Sequence, residues 1–126
     1  MLLIAGGSGL TPCYQVVQAA TLAKDSLKLT LIYSNKTEDD ILAKKQLEEF
    51  ANSNPNLKIV HTLTRVPEGS SWDGKKGRIS AALCKEVMDT FDKNTLVGFC
   101  GPSGLNKCVE EMCVELGIAK ENMFRF

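Results

Sequence analysis

Along the chain, short apolar runs rich in β-branched residues alternate with longer stretches whose apolar positions recur at helical spacing. The strand-like runs fall at residues 2–5, 28–33, 57–63, 96–100 and 123–126. A first helix is expected after Gly9, with Thr11 as its N-cap, Pro12 at its first position and Val16, Val17 and Ala20 as its buried stripe. The acids at 38–40 mark the start of a second helix, which carries Ile41, Leu42, Leu47 and Phe50 and ends at Asn54-Pro55. Residues 66–77, with Pro67, Gly69, Gly74 and the lone Trp72, read as a loop. Ser80 caps a third helix reaching Val87 and Met88, and a fourth runs from about 104 to 116 and stops at Gly117. Strand and helix in alternation predict an α/β fold, a doubly wound five-stranded parallel sheet with helices on both faces.

Composition narrows the function. A length of 126 residues fits one domain, and 15 basic residues balance 15 acidic ones. With no cationic stripe, neither nucleic acid nor an anionic membrane is an expected partner. Five cysteines, no C-x-x-C pair and a single His argue against a disulfide framework or a metal site, and for free thiols in a reducing compartment. The cytoplasm, or the cytoplasmic face of an organelle membrane, is the expected location. The apolar runs are strand-sized, so no membrane segment is expected, and residues 2–4 lack the charged flank and length of a signal peptide. The first residue after Met1 already belongs to a strand, as though the chain began at a domain boundary.

Three segments carry candidate chemistry. Gly6-Gly7-Ser8-Gly9-Leu10-Thr11-Pro12 joins the first strand to the first helix. Glycines there allow a tight turn and close approach of a phosphate, and the following helix offers free N–H groups and a positive dipole end. Pro12 replaces the third glycine of the usual dinucleotide fingerprint. Any tight strand-to-helix turn also favours glycine, so the motif is read with its flanks. Cys100-Gly101-Pro102 ends the fourth strand, where open α/β sheets place ligands; Cys100 is either a polarisable contact for a nicotinamide ring or core filler. Tyr33, Ser34 and the acids through Asp40 end the second strand, where a carboxylate would accept from an adenosine 2′-hydroxyl and repel a 2′-phosphate; the same acids are also ordinary helix-start residues. His61 has no partner suited to catalysis and is assigned to packing, as are Trp72, Cys13, Cys84, Cys108 and Cys113.

In order and spacing, Leu3-Ile4-Ala5-Gly6-Gly7-Ser8-Gly9-Leu10-Thr11-Pro12, Tyr33-Ser34-Asn35-Lys36-Thr37-Glu38-Asp39-Asp40-Ile41-Leu42 and Cys100-Gly101-Pro102 resemble the nucleotide domain of cytochrome b5 reductases and assimilatory nitrate reductases, members of the ferredoxin reductase superfamily. Tyr14-Gln15-Val16 and the closing Phe124 and Phe126 are similar as well, so the resemblance covers the whole chain. It implies a Rossmann-like NAD(P)H-binding domain over residues 1–126, in which Gly7, Ser8, Gly9 and Thr11 face the pyrophosphate and the flavin edge. Asp40 would meet the ribose, and Cys100 the nicotinamide during hydride transfer from NADH to FAD. It also implies an FAD-binding barrel preceding this domain and outside these residues, supplied in cis or in trans, and a haem or iron–sulfur electron acceptor. The chain alone is then expected to be inactive. Cofactor-binding positions carried over are Gly6, Gly7, Ser8, Gly9, Thr11, Pro12, Tyr33, Ser34, Asp40, Gly101, Pro102 and Phe126, with Cys100 catalytic and no metal ligand. Ser103, Gly104 and Leu105 stand where the family often continues with a second Pro and an apolar residue. The alternative reading is a non-catalytic module that binds nicotinamide nucleotide or a protein.

Overall fold

Parallel pairing of the apolar runs builds the sheet. A computed structural model describes all of residues 1–126. It contains strands β1 (Leu2–Gly6), β2 (Leu29–Asn35), β3 (Leu57–Leu63), β4 (Lys75–Lys76), β5 (Val97–Cys100) and β6 (Met123–Arg125). Helices α1 (Leu10–Leu22), α2 (Lys44–Ser53), α3 (Ala81–Val87) and α4 (Ser103–Glu115) connect them. The strand order is β4-β3-β2-β1-β5-β6, and every pair is parallel. β1 sits at the centre and reads Leu-Leu-Ile-Ala because both of its faces are covered; Leu2, Leu3, Ile4 and Ala5 have no exposed surface.

Side chains alternate across the sheet, so each strand feeds two cores. Leu3, Ala5, Leu29, Leu31 and Tyr33 pack against Cys13 and Val17 of α1 and Leu47 of α2. On the opposite face Leu2, Ile4, Ile32, Val97 and Phe99 meet Leu83, Cys84 and Val87 of α3 and Val109, Met112 and Cys113 of α4. Each of these large side chains contributes about 1.5–3 kcal/mol by leaving water.

The sheet has six strands where the sequence predicts five. The added β4 lies inside the expected loop and pairs only with Thr62 and Leu63. Its Lys-Lys pair has no strand propensity; the Trp72 indole N–H donates to Lys75 O at 2.9 Å and the Thr62 hydroxyl to Gly77 O at 2.7 Å, pinning the loop against the edge. Two helix starts also move. α1 begins at Leu10 with Gly9 at the N-cap, because a 3-10 turn over Gly7–Gly9 runs straight into it. Thr11 and Pro12 are therefore its second and third residues, and the Thr11 hydroxyl reaches back to Ser8 O at 3.4 Å instead of capping. Pro12 is tolerated because N–H groups in the first turn have no intrahelical acceptor.

Glu38–Asp40 forms a 3-10 turn closed by a capping box with Thr37. The chain then extends at Ile41 and passes through a left-handed Ala43 (φ +52°), so α2 starts only at Lys44. The other helix ends match expectation. The Ser80 hydroxyl accepts from Leu83 N–H at 3.1 Å to cap α3, and Gly117 adopts φ +74° just beyond α4.

All five cysteines are free thiols. Burial pushes Cys13 and Cys84 up to about 12 and Cys113 up to about 11. Iodoacetamide applied to the native chain at mildly alkaline pH should therefore label Cys100 and Cys108, both partly exposed, well before the other three, as read by mass spectrometry of peptides. Early labelling of Cys13 would mean that α1 opens from the sheet.

A Cβ placed on Gly9 would lie 2.3 Å from Cys100 O, a backbone atom that cannot swing aside. Gly9→Ala is expected to cost about 2 kcal/mol or more in equilibrium urea unfolding, a penalty of overpacking plus backbone shift. The control is Gly104→Ala in α4, where a Cβ meets nothing within 4 Å and helix propensity makes the change neutral or mildly stabilising.

Candidate functional site

At the carboxyl ends of the strands the connections diverge. β1 leads into α1 on one face, while its neighbour β5 leads into α4 on the other. This is the topological switch point of the sheet. The two turns that meet there are joined backbone to backbone. The Cβ position of Gly9 lies within 3 Å of Cys100 O, Cys100 C and Gly101 Cα, and the Cβ position of Gly6 lies 3.1 Å from the Pro102 ring and 2.7 Å from a Leu105 methyl. Gly101 faces Gly6 in return, its Cβ position 3.3 Å from Gly6 N. Three glycines are needed because no side chain fits between the turns.

Hydrogen bonds hold the turns from behind. The Tyr33 hydroxyl donates to Gly7 O at 2.7 Å, and the Asn106 amide donates to Gly101 O at 2.9 Å. Gly7 itself adopts φ +54° with nothing within 4 Å of its Cβ position, so the crest of the first turn is open to a ligand.

A groove of about 540 Å³ runs over these turns. Gly6, Gly7 and Ser8 form one part of its lining, Ser34, Asn35 and Lys36 the end of β2, and Pro102, Gly104, Leu105 and Cys108 the first turns of α4. Asp40, Leu42, Thr64, Arg78 and Ile79 complete the lining. The volume lies in the range of pockets for small ligands and cofactors.

Asp40 is held in place by its own turn. Its Oδ2 accepts from Thr37 N–H at 3.1 Å and from the Thr37 hydroxyl at 2.8 Å, which leaves Oδ1 without a partner in the chain. Those two bonds, helped by the nearby charges of Lys36 and Arg65, hold the carboxyl below its usual value. It is ionised at neutral pH and exposed to solvent.

Of the sequence-predicted residues, Gly6, Gly7, Ser8, Ser34, Asp40 and Pro102 line this groove together. The others are placed elsewhere. Gly9 and Gly101 form the backbone contact beneath it. Tyr33 has no exposed surface, because it shares the face of Leu29 and Leu31; it supports the groove through Gly7 and burial pushes its phenol up. Thr11 and Pro12 occupy the first turn of α1, outside the lining.

Cys100 and Phe126 belong to the α1 face of β5. Gly98, two residues before Cys100 and so on the same face, has Leu3 Cδ2 and the Phe126 ring against its Cβ position, at 3.1 and 2.9 Å. Phe126 N–H donates to Phe99 O at 3.0 Å, and its ring remains about half exposed. The lining also takes in Asn35, Lys36 and Leu42 from the quoted segment after β2 and Gly104 and Leu105 after Pro102, none of them singled out as a binding position, while Thr64, Arg78, Ile79 and Cys108 were missed altogether. Position alone signals them, since each lies just after a strand's carboxyl end or in the helix or loop that faces it. No group of three or more His, Cys, Asp or Glu is arranged to hold a metal ion, and no helix is long and apolar enough to cross a membrane.

Residues 3–111 match the family model of the oxidoreductase NAD-binding domain. The chain is 38% identical to a nitrate reductase [NADPH] of Emericella nidulans over 129 residues, which covers 99% of the chain and 14% of that protein. It is 34% identical to NADH-cytochrome b5 reductase 1 of Eremothecium gossypii, covering 94% of the chain and 42% of the relative. Among solved structures, the cytochrome b5 reductase domain of Ulva prolifera nitrate reductase superimposes with a TM-score of 0.87 at 33% identity, covering 99% of the chain and 48% of the other. The chain thus spans less than half the length of these relatives. Fold, crest turns and sequence agree: this chain belongs to the oxidoreductase NAD-binding domain family.

Proposed function

We propose that this chain is the nucleotide half of a flavin-dependent oxidoreductase that takes reducing equivalents from NADH, working with an FAD-binding domain in cis or in trans. The observation that carries the reading is the groove itself, in which an open glycine crest, the ionised Asp40 and the start of α4 surround a space sized for a dinucleotide. When bound, the nicotinamide supplies a hydride and the flavin accepts it, with electrons passing on to a haem or iron–sulfur protein.

The chain's own residues bind and orient. Backbone groups of Gly6, Gly7 and Ser8 receive the pyrophosphate, and the φ +54° of Gly7 leaves that crest clear. Asp40 Oδ1 accepts from an adenosine ribose hydroxyl, with Ser34 beside it. Pro102 and Leu105 guide the nicotinamide half towards Cys100, whose thiol gives it a polarisable contact. Phe126, lying over Gly98, and the first turn of α1, with Thr11 and Pro12, offer a surface on the same side of β5 for the flavin edge. No side chain here acts as acid or base. The contribution is proximity and orientation, for which the rigid contact between the two crest turns is suited.

The relatives' names include both NADH and NADPH, and that of the Eremothecium gossypii relative names cytochrome b5; a haem protein is accordingly the acceptor favoured here. The rival reading, a module that binds nucleotide without redox chemistry, is separated by mixing the chain with a flavin-loaded barrel from a cytochrome b5 reductase. NADH-dependent bleaching of the flavin is expected. Saturable NADH binding with no bleaching would favour the module.

Two substitutions probe the site. Asp40→Asn keeps an acceptor for Thr37 and removes the charge, and should lower the preference for NADH over NADPH about fivefold in calorimetric titration. An unchanged ratio would move the ribose role to another residue. Cys100→Ser in the complete enzyme should slow hydride transfer by about an order of magnitude in stopped-flow traces. If only the melting temperature fell, Cys100 would be a packing residue.

A further inference from the structure

The thiols where α3 meets α4 have no part in the proposed function. Cys84 lies in α3, and Cys108 and Cys113 lie in α4. Cys84 and Cys113 have no exposed surface. Cys108 is half-buried and lines the groove, so it alone of the three meets solvent.

Contacts between the two helices place Cys108 beside Cys84. The Cys108 thiol donates to Ile79 O at 3.5 Å, against the residue just before the Ser80 cap of α3. About one turn further along both helices, Cys84 Sγ lies 3.9 Å from Met112 Sδ. Residues 108 and 112 share one face of α4, so Cys108 stands on the stripe that touches Cys84. Cys108 and Cys113 are the two thiols whose charge bears on Cys84. Of these Cys113 is sealed in the core, and an oxidant entering the groove meets Cys108 first.

We propose that Cys108 and Cys84 are an oxidative modification site, at which hydrogen peroxide closes a disulfide between α4 and α3 and weakens nucleotide binding. The effect on nucleotide rests on the function proposed above; the thiol pair does not. The Cys108 thiolate attacks one peroxide oxygen and breaks the O–O bond, leaving a sulfenic acid and a hydroxide that takes up a proton. The Cys84 sulfur then attacks the Cys108 sulfur, giving up its own proton as the S–O bond breaks and water leaves. Both thiols are oxidised to one disulfide, and the peroxide is reduced to water. Burial pushes Cys84 up to about 12, which keeps it from meeting the oxidant itself and reserves it for its neighbour.

Closure changes the groove because the sulfurs must come to about 2.05 Å. Cys108 then releases Ile79 O and turns towards the core. Ile79 and Cys108 are both part of the lining, and Gly104 and Leu105 belong to the same end of α4, so that wall moves with the bond. Reduction by a dithiol restores it.

The experiment treats the purified chain with hydrogen peroxide, blocks free thiols with iodoacetamide and maps the unreduced peptides by mass spectrometry. Trypsin leaves Cys84 in residues 79–85 and both Cys108 and Cys113 in residues 108–120, and further cleavage after Glu110 or Glu111 separates the last two. A peptide joining Cys84 to Cys108 is expected. In calorimetric titration the oxidised chain should bind NADH about fivefold or more weakly than the reduced chain, the lower end of ordinary coupling between sites, and dithiothreitol should restore the affinity. Cys84→Ala, a buried position outside the groove, should bind NADH as the wild type does, form no cross-link and leave Cys108 open to dimedone after peroxide. Cys113→Ala should still form the cross-link, and circular dichroism checks that both variants fold. Pairing of Cys84 with Cys113, or oxidation of Cys108 with no cross-link, overturns the pair. A cross-link that leaves NADH affinity unchanged overturns its control of the groove. A reduced chain that binds no NADH overturns the nucleotide reading instead, and the peptide map still decides the pair.

Discussion

The packing of Gly9 against the Cys100–Gly101 peptide is the contact on which the rest of this domain depends. It brings the crest of β1 and the crest of β5 together with no side chain between them, at separations any Cβ would violate. Because α1 then leaves to one face and α4 to the other, the contact also fixes where the sheet opens into a groove. The strands below supply rigidity: β1 is fully buried and paired along its length to β2 and to β5. Backbone placement at the crest is thereby inherited from the sheet, a firmer support than a free loop.

Around that contact each loop is held by one or two hydrogen bonds. Tyr33 reaches up from the core to Gly7, Asn106 from α4 to Gly101, Thr37 across its own turn to Asp40, and Trp72 to the backbone of Lys75. The first joins residues 26 apart in the sequence, and the other three join residues no more than five apart. Tyr33 and Asn106 are largely buried, so the two crest turns take their orientation from the interior.

How much of this was legible in the sequence follows from the physics of each element. Five strands announced themselves because buried parallel strands must be apolar, and the caps at Ser80 and Gly117 because their chemistry is local. β4 did not, since two lysines hold it only through a loop pinned by Trp72. The acids at 38–40 signalled a helix start and marked a self-closed 3-10 turn instead, with α2 delayed to Lys44 by the extended Ile41 and left-handed Ala43. Tyr33 was read as facing ligand, although the alternation from Leu29 and Leu31 already puts it in the core. The glycine crest, Ser34, Asp40 and Pro102 came from motif and position. Asn35 lies within the quoted segment at the end of β2 without having been singled out, while Arg78 and Cys108 belong to no motif and meet the groove through the loop after β4 and through α4.

The capping box of Thr37 and Asp40 has an evolutionary consequence. One carboxylate both closes the turn after β2 and lines the groove, so these two properties cannot drift independently. A lineage that discards the charge with an aliphatic residue also loses the acceptor that satisfies Thr37, loosening the turn in the same step. Asn, Ser or Thr keep the turn while changing the charge, and Asn lies a single nucleotide substitution from Asp. Change of the groove's charge at this position is therefore channelled through a few residue types, and intermediates along that route keep the turn that Thr37 closes.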